Sequence, residues 1–224
     1  MIATPIIIVN YKTYEKGYGK NALELTRMLQ KVAEDTKANV GIAVCPTDIA
    51  VIAKECTLPV FSQHIDPIGF GSHTGYILPE AVKEAGAVGT LINHSEHRLR
   101  LADIEECVRR AKEVGLVTCV CTNNLETSRA ASVLSPDFVA VEPPELIGGD
   151  ISVSKAQPEL VSKTVDAVKA VSPNVKVLCG AGVKNGEDVK KALELGSEGI
   201  LLASGIVKAK DVEAATRDLI SGLI

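Results

Sequence analysis

Short apolar runs rich in Val, Ile and Leu alternate with longer amphipathic stretches along the whole chain. Runs of four to six residues that are almost entirely apolar are typical of strands buried on both faces of a sheet. The pattern therefore predicts eight strands, over residues 5–9, 40–45, 59–63, 88–92, 116–121, 138–141, 175–179 and 199–203.

Most of the stretches between these runs have helical periodicity. Apolar residues at 104, 107, 108 and 111 follow the i, i+3, i+4, i+7 spacing of a helix with one buried face. Similar patterns occur over 22–32, 161–168, 189–193 and 212–219. Pro158 suits a first helical turn, Asn185 an N-cap, and Gly196 the position after a helix end. The gap at 64–87 is predicted to be mostly loop before a short helix.

Alternating strands and helices predict a parallel sheet with right-handed crossovers. Eight such units close into a (β/α)8 barrel, and no Pro/Ser-rich linker or charge block divides the chain. We therefore expect one TIM-barrel domain over residues 1–224. An open doubly wound sheet is the alternative, but no G-x-G-x-x-G follows the first strand.

Composition excludes several classes of partner. The chain is 46% hydrophobic and 23% charged, and its formal net charge of −4 gives no basic surface for nucleic acid or an anionic membrane. No apolar run approaches the ~20 residues that span a bilayer. The first ten residues lack the basic and long apolar regions of a signal peptide, so we expect a cytoplasmic protein. The six cysteines form no C-x-x-C motif and are expected to be buried free thiols.

Polar residues follow most of the predicted strands. The ends of parallel barrel strands meet at one mouth, so these side chains are expected to converge there. A lysine, a histidine and a glutamate are among them, and the full set is Asn10, Lys12, Gln63, the segment 93–98 and Glu142. Glu142 is the most informative, because a carboxylate that ends an apolar strand loses hydration and needs a purpose or a partner.

Each of the other residues also has a structural explanation. Considered without the other residues, Lys12 would be expected to be a solvated surface lysine and His94 to be a structural histidine. His94 and His97 lack a third ligand, so no metal site is expected. Glu96 is expected to pair with Arg98.

The seventh and eighth strands are followed by small residues. Gly180, Gly182 and the turn at 203–205 let backbone N–H groups approach an anion, and this barrel often binds phosphate there. The alternative is that these glycines only permit tight turns.

Three motifs now stand on the expected strands: "NYK" at 10–12, "NHSEHR" at 93–98 and "VEPPELIGG" at 141–149. In this order they resemble the fingerprints of the triosephosphate isomerase family, and the short chain resembles its compact archaeal branch. The resemblance implies cofactor-free interconversion of dihydroxyacetone phosphate and glyceraldehyde 3-phosphate, in glycolysis and gluconeogenesis.

The resemblance also implies roles. Glu142 would abstract the proton, neutral His94 would polarise the carbonyl, and Lys12 with Asn10 would stabilise the enediolate. The family is itself a standard example of a carboxylate base paired with a neutral histidine. Substrate contacts are implied for Asn10, Tyr11, Lys12, Ile147, Gly148, Gly182, Ala203 and Ser204. Pro143 and Pro144 would form the hinge of a closing lid, although Glu145 and Gly182 replace a family tryptophan and serine.

The segment 69–75, "GFGSHTG", resembles the loop that family members insert into a neighbouring subunit. Thr74 would then contact Lys12 or Asn10 of a second copy, which implies a homodimer or homotetramer. A solvent-exposed loop without a partner is the alternative.

Two other functions remain open at this stage. One is an epimerase or isomerase that acts on another phosphorylated sugar on the same barrel. The other is a non-enzymatic module that binds a phosphorylated ligand, against which the set of Glu142, His94 and Lys12 argues.

Overall fold

The computed structural model describes residues 2–143 and 153–223, with only the backbone at 153 and 155. Its strands are all parallel and form a closed barrel in chain order, from β1 to β8 and back to β1. The predicted barrel is therefore confirmed. The strands are β1 (Ile6–Asn10), β2 (Val40–Val44), β3 (Val60–Ser62), β4 (Gly89–Ile92), β5 (Val117–Thr122), β6 (Phe138–Val141), β7 (Lys176–Gly180) and β8 (Gly199–Leu202).

Helices connect the strands on the outside of the barrel. They are α1 (Gly19–Thr36), α2 (Ile49–Glu55), α3 (Pro79–Glu84), α4 (Leu101–Glu113), α5 (Leu125–Ser132), α6 (Val153–Ala156), α7 (Pro158–Val171), α8 (Gly186–Glu194), α9 (Ser204–Val207) and α10 (Val212–Ser221). The predicted N-cap is confirmed, because the Asn185 side chain accepts a hydrogen bond from the N–H of Asp188 at 3.0 Å. Gly196 adopts φ +94° just after α8.

The apolar core has two layers, because successive side chains of each strand point to opposite faces. In β1, Ile6 and Ile8 point into the barrel, whereas Ile7 and Val9 pack against the surrounding helices. The inner layer is closely filled: a Cβ at Gly89 would lie within 2.4 Å of the Phe61 ring. Aliphatic packing of this density holds the strand ends in fixed positions.

Two further expectations concern cysteines and membranes. All six cysteines are free thiols; five are buried, as expected, whereas Cys45 is partly exposed. Among the described helices, none has both the length and the apolar character needed to cross a membrane.

Candidate active site

Lys12 follows β1 and is held in a conformation that few non-glycine residues adopt. Its φ is +50°, in the left-handed region. Its N–H donates to Asn10 Oδ1 at 3.0 Å, and its carbonyl accepts from Gln63 Nε2 at 2.9 Å. The ammonium group lies 2.8 Å from Glu96 Oε1, and the lysine side chain is only 10% exposed. A nearly buried cation is thereby directed into the mouth.

His94 lies on the turn after β4. Asn93, with φ +62°, shapes this turn and bonds the Cys121 carbonyl at 2.9 Å and the Leu99 N–H at 2.8 Å. The N–H of Glu96 donates to His94 Nδ1 at 3.2 Å. With Nδ1 as the acceptor of this bond, the geometry suits a neutral imidazole that carries its N–H at Nε2. That N–H is available to a carbonyl oxygen.

Glu142 follows β6 and is buried, with 6% of its surface exposed. Its Cγ packs against Gly180 of β7, where a Cβ would lie only 2.4 Å away. Its Oε2 lies 3.7 Å from His94 Nε2 and has no hydrogen-bond partner among the described residues. A carboxylate held in place with one free oxygen can take a proton from a bound molecule.

A thiol lies beneath this carboxylate. A hydrogen bond with Cys119, burial and the negative charge of Glu142 raise the pKa of Cys121 well above its usual range. Cys121 therefore stays protonated next to the carboxylate, and no second negative charge competes with Glu142.

Two short loops complete the same cavity. Ala181 and Gly182 after β7 have φ +72° and +70°, and Ala203 and Ser204 follow β8. Gly205 lets the loops touch, since a Cβ there would lie 2.9 Å from the Val183 carbonyl. The first N–H groups of a helix such as α9 have no intrahelical acceptor and favour anions. The lining residues are Asn10, Lys12, Tyr14, His94, Glu142, Ala181, Gly182, Val183, Leu201, Leu202, Ala203 and Ser204.

Most of the site residues expected from the sequence thus meet at one mouth, with two qualifications. The Tyr11 side chain points away into the core, where its hydroxyl lies 2.9 Å from Thr26 Oγ1, so only its main chain is near the site. Pro144, Ile147 and Gly148, with the expected lid, lie outside the described residues.

The expected pairing of Glu96 with Arg98 is wrong. Glu96 bonds Lys12 at 2.8 Å and approaches His94 Nδ1 at 3.5 Å, whereas Arg98 bonds Asn123 at 3.3 Å. The physical reason is that barrel closure brings the ends of β1 and β4 together. Lys12 is more deeply buried than a surface arginine, and the less solvated cation gains more from a carboxylate.

Sequence reasoning missed two features of the mouth. Gln63 was noted only for its position, but its amide bonds both Asn10 Oδ1 (3.3 Å) and the Lys12 carbonyl (2.9 Å). Tyr14 was not singled out, although it lines the cavity and carries the Lys208 ammonium 4.4 Å above its ring. The available signal for Tyr14 was its place just after the "NYK" motif.

Among the residues described, no three histidine, cysteine or carboxylate side chains are arranged to hold a metal ion. The groups that line the site are a carboxylate, an imidazole, an ammonium group and two loops of small residues.

A family model of triosephosphate isomerase matches residues 5–219. The triosephosphate isomerase of Methanocaldococcus jannaschii is 56% identical over 215 residues, which cover 96% of this chain and 98% of that protein. That of Methanobacterium bryantii is 56% identical over 218 residues, covering 97% and 96%. Both support the compact archaeal branch that the motifs suggested.

A more distant solved structure agrees in fold. The crystal structure of triosephosphate isomerase from Bartonella henselae superposes with a TM-score of 0.75 at 19% identity, covering 97% of this chain and 96% of that one. At this identity the likeness concerns the barrel alone, but the family model and the two close relatives concern the sequence over nearly its full length. The chain therefore belongs to the triosephosphate isomerase family.

Proposed function

We propose that this chain interconverts dihydroxyacetone phosphate and glyceraldehyde 3-phosphate by proton transfer through an enediolate, with no cofactor. The observation that carries the proposal is the meeting of Glu142, His94 and Lys12 in one cavity, from the ends of β6, β4 and β1. Family membership supports the same reaction. The activity belongs to glycolysis and gluconeogenesis, and we place it in the cytoplasm.

Glu142 is the base in this proposal. It removes a proton from the carbon beside the substrate carbonyl, and the electron pair moves onto the carbonyl oxygen as the enediolate forms. Burial leaves the carboxylate poorly hydrated, and its Oε2 has no hydrogen-bond partner within the described part of the chain. The same oxygen then returns the proton to the neighbouring carbon, which completes the isomerisation.

His94 and Lys12 act on the developing oxyanion. The neutral His94 donates its Nε2–H to the carbonyl oxygen, because its Nδ1 is occupied by the Glu96 N–H. The same imidazole can pass a proton between the two oxygens of the enediolate. The Lys12 ammonium adds a fixed positive charge in a partly dehydrated mouth, where such charge lowers a barrier most. Asn10 holds the Lys12 main chain and orients it.

Substrate binding depends on the phosphate group. Gly182, Ala203 and Ser204 line the cavity with small side chains, so their main chain can approach phosphate oxygens. Gly182 offers only its N–H to the phosphate. The proposal also assigns Ile147 and Gly148 to a lid; both residues lie outside the described part of the chain.

We also propose that the protein is a homodimer or homotetramer. The loop at 69–75 projects from the barrel, and Phe70 at its tip is 80% exposed. Its neck is nevertheless fixed, because the Asp66 and Arg110 side chains bond the Ile77 N–H and the Ile68 carbonyl. A stiff loop with an exposed aromatic tip suits a second copy.

We propose that a cavity on the same chain receives that loop. A neighbouring cavity of about 460 Å³ is lined in part by Lys12, Glu96 and His97. The loop of one copy would occupy this cavity in the other, with Thr74 near Lys12. Sedimentation at micromolar concentration tests this, and a monomer would contradict it.

The assay for the reaction is conversion of each triose phosphate with chelator present and no nucleotide, alongside pentose phosphates. Glu142→Gln keeps the shape of the side chain and removes the base, so kcat should fall about 10³-fold. Glu198→Gln is the matched control, because Glu198 pairs with Lys169 at 3.1 Å away from the mouth. Near wild-type turnover by Glu142→Gln would refute the base. If the protein converted pentose phosphates but not triose phosphates, the proposed substrate would be wrong.

A further inference from the structure

His64 is a buried polar residue that the proposed reaction does not use. It follows β3 with 7% of its surface exposed. Its ring packs against that of His97 in a tilted arrangement, with 4.2 Å between centroids and 31° between planes. On its other side, its Nε2 lies 3.2 Å from Asp66 Oδ1. One imidazole thus joins two loops that are distant in sequence.

The Asp66 side of this contact is the neck of the projecting loop. Asp66 Oδ2 accepts the Ile77 N–H at 2.6 Å, and the Asp66 N–H donates to the Ile77 carbonyl at 2.9 Å. These two bonds join Asp66 to Ile77 and so hold the two ends of the loop together. The Ser62 hydroxyl also donates to the His64 carbonyl at 2.6 Å, so the backbone beneath the ring is fixed.

The His97 side of the contact is the turn that carries His94. The His97 N–H donates to the His94 carbonyl at 2.8 Å, which closes the turn. His97 itself is exposed, and among the described residues its ring contacts the ring of His64. The ring contact and this main-chain bond therefore connect His64, through His97, to the main chain of His94.

The charges around His64 favour a neutral ring. Burial lowers its pKa, the Asp66 carboxylate opposes this shift, and the neighbouring His97 adds to it. Glu96 and Lys12 face the same cavity from the ends of β4 and β1 but bond each other at 2.8 Å. A neutral His64 donates its Nε2–H to Asp66 and stacks on His97 without charge repulsion.

We propose that His64 is a positioning residue that holds the His94 turn against the neck of the projecting loop. The ring contact fixes His97 and carries most of the effect, and the bond to Asp66 contributes less by orienting the His64 ring. The inference rests on the proposed function, because its main readout is the turnover of triose phosphate.

Two substitutions separate the ring from the hydrogen bond. His64→Gln keeps an N–H for Asp66 and removes the ring, whereas His64→Phe keeps a ring against His97 and loses the bond. We expect His64→Gln to lower kcat about tenfold, since small displacements of a catalytic group are costly. We expect His64→Phe to stay within about threefold of the wild type.

Three further measurements exclude a merely structural role. The inhibition constant of glycerol 3-phosphate, which has the phosphate but no carbonyl, should stay within about twofold in both variants. The NMR signals of the His94 ring nitrogens should shift only in His64→Gln. Ser132→Ala, which removes the 2.8 Å bond from a buried serine to the Arg129 carbonyl at the end of α5, away from the mouth, should lower stability and leave kcat unchanged.

His97→Gln removes the other ring and supplies the same test if His64→Gln does not fold; because His97 lines the cavity proposed for a second copy, sedimentation of the variant checks that assembly is unchanged. It should lower kcat as His64→Gln does, and the double variant should lose no more. Equal kcat in His64→Gln and the wild type, or equal losses in the Gln and Phe variants, would overturn the inference and leave the reaction intact. A folded wild type that does not isomerise triose phosphates would instead overturn the proposed function.

Discussion

Gly180 leaves room for Glu142, the proposed base, so Gly180→Ala is the sharpest single test of the geometry. A Cβ at this position would lie 2.4 Å from Glu142 Cγ, 3.0 Å from Oε1 and 3.1 Å from Cδ. Carbon atoms in contact are ordinarily about 3.5 Å apart, so the glutamate would have to move by about 1.1 Å. The alanine itself fits the backbone, since Gly180 is not among the residues with positive φ.

The cost of this movement falls on the reaction more than on the fold. A catalytic group misplaced by about 1 Å loses about 10²-fold in rate, and this is the decrease in kcat that we expect. Crowding of the barrel core by one methyl group should also lower the free energy of unfolding by about 1–3 kcal/mol. Glu142 cannot avoid the contact by rotating its tip, because Cγ is the closest atom.

Steady-state kinetics and thermal unfolding of Gly180→Ala measure the two effects. Gly41→Ala in β2 is the control, because its Cβ would lie 3.4 Å from the Phe61 ring and from the Pro59 carbonyl, away from the base. It should lose some stability and keep its kcat. A folded Gly180→Ala enzyme with kcat within about threefold of the wild type would refute the proposed position of the base.

Three other predictions follow from single contacts. Gln63→Leu deletes the hydrogen bond to the Lys12 carbonyl, so Lys12 should lose its fixed position and kcat should fall about tenfold. An unchanged kcat would show that Gln63 does not position Lys12. Tyr11→Phe deletes the 2.9 Å bond to Thr26 and should cost about 1 kcal/mol in urea unfolding with kcat unchanged; lost turnover would assign the hydroxyl a role in the reaction. The pKa of His64 is lower in the folded than in the unfolded chain, so protonation favours unfolding and stability should fall as pH decreases below about 6.5. His64→Phe should flatten that dependence in urea titrations from about pH 7 to pH 5, and equal slopes would contradict it.

The barrel was predictable because its strands are buried on both faces. Each buried run has to be apolar over its whole length, and polar residues reappear only where the strand ends. That is why Lys12, His94 and Glu142 could be assigned to one mouth from their positions after β1, β4 and β6. The order of parallel strands determines which end a residue occupies, without any knowledge of side-chain contacts.

The pairings within the mouth could not be predicted in this way. Glu96 was assigned to the arginine two positions along, but its closest cation is Lys12, 84 positions away. His64 and His97 stack across two loops that no short-range pattern connects. Such contacts depend on how far each loop projects and which rotamer it allows, and these are properties of the closed barrel.

Several residues at the mouth of the barrel have strained backbone conformations. Lys12, Asn93 and Ala181 all have positive φ, and each lies within two residues of the end of a strand at the site. Non-glycine residues in this region cost about 1 kcal/mol or more and persist only where surrounding contacts hold them. Lys12 and Asn93 are held by amide side chains: Asn10 and Gln63 bond the Lys12 main chain, and the Asn93 amide bonds two main-chain groups.

A residue with positive φ directs its side chain, and the residue after it, differently from a residue in a relaxed conformation. At Lys12 the turn directs the ammonium into the mouth, and at Asn93 it presents His94 to the carboxylate of Glu142. Glycine at position 93 would relieve the strained φ but delete both amide bonds, so the turn would lose its shape. The polar residues that follow the strands therefore divide into two groups: those proposed to act on a substrate, and those whose hydrogen bonds hold the strained turns that position the first group.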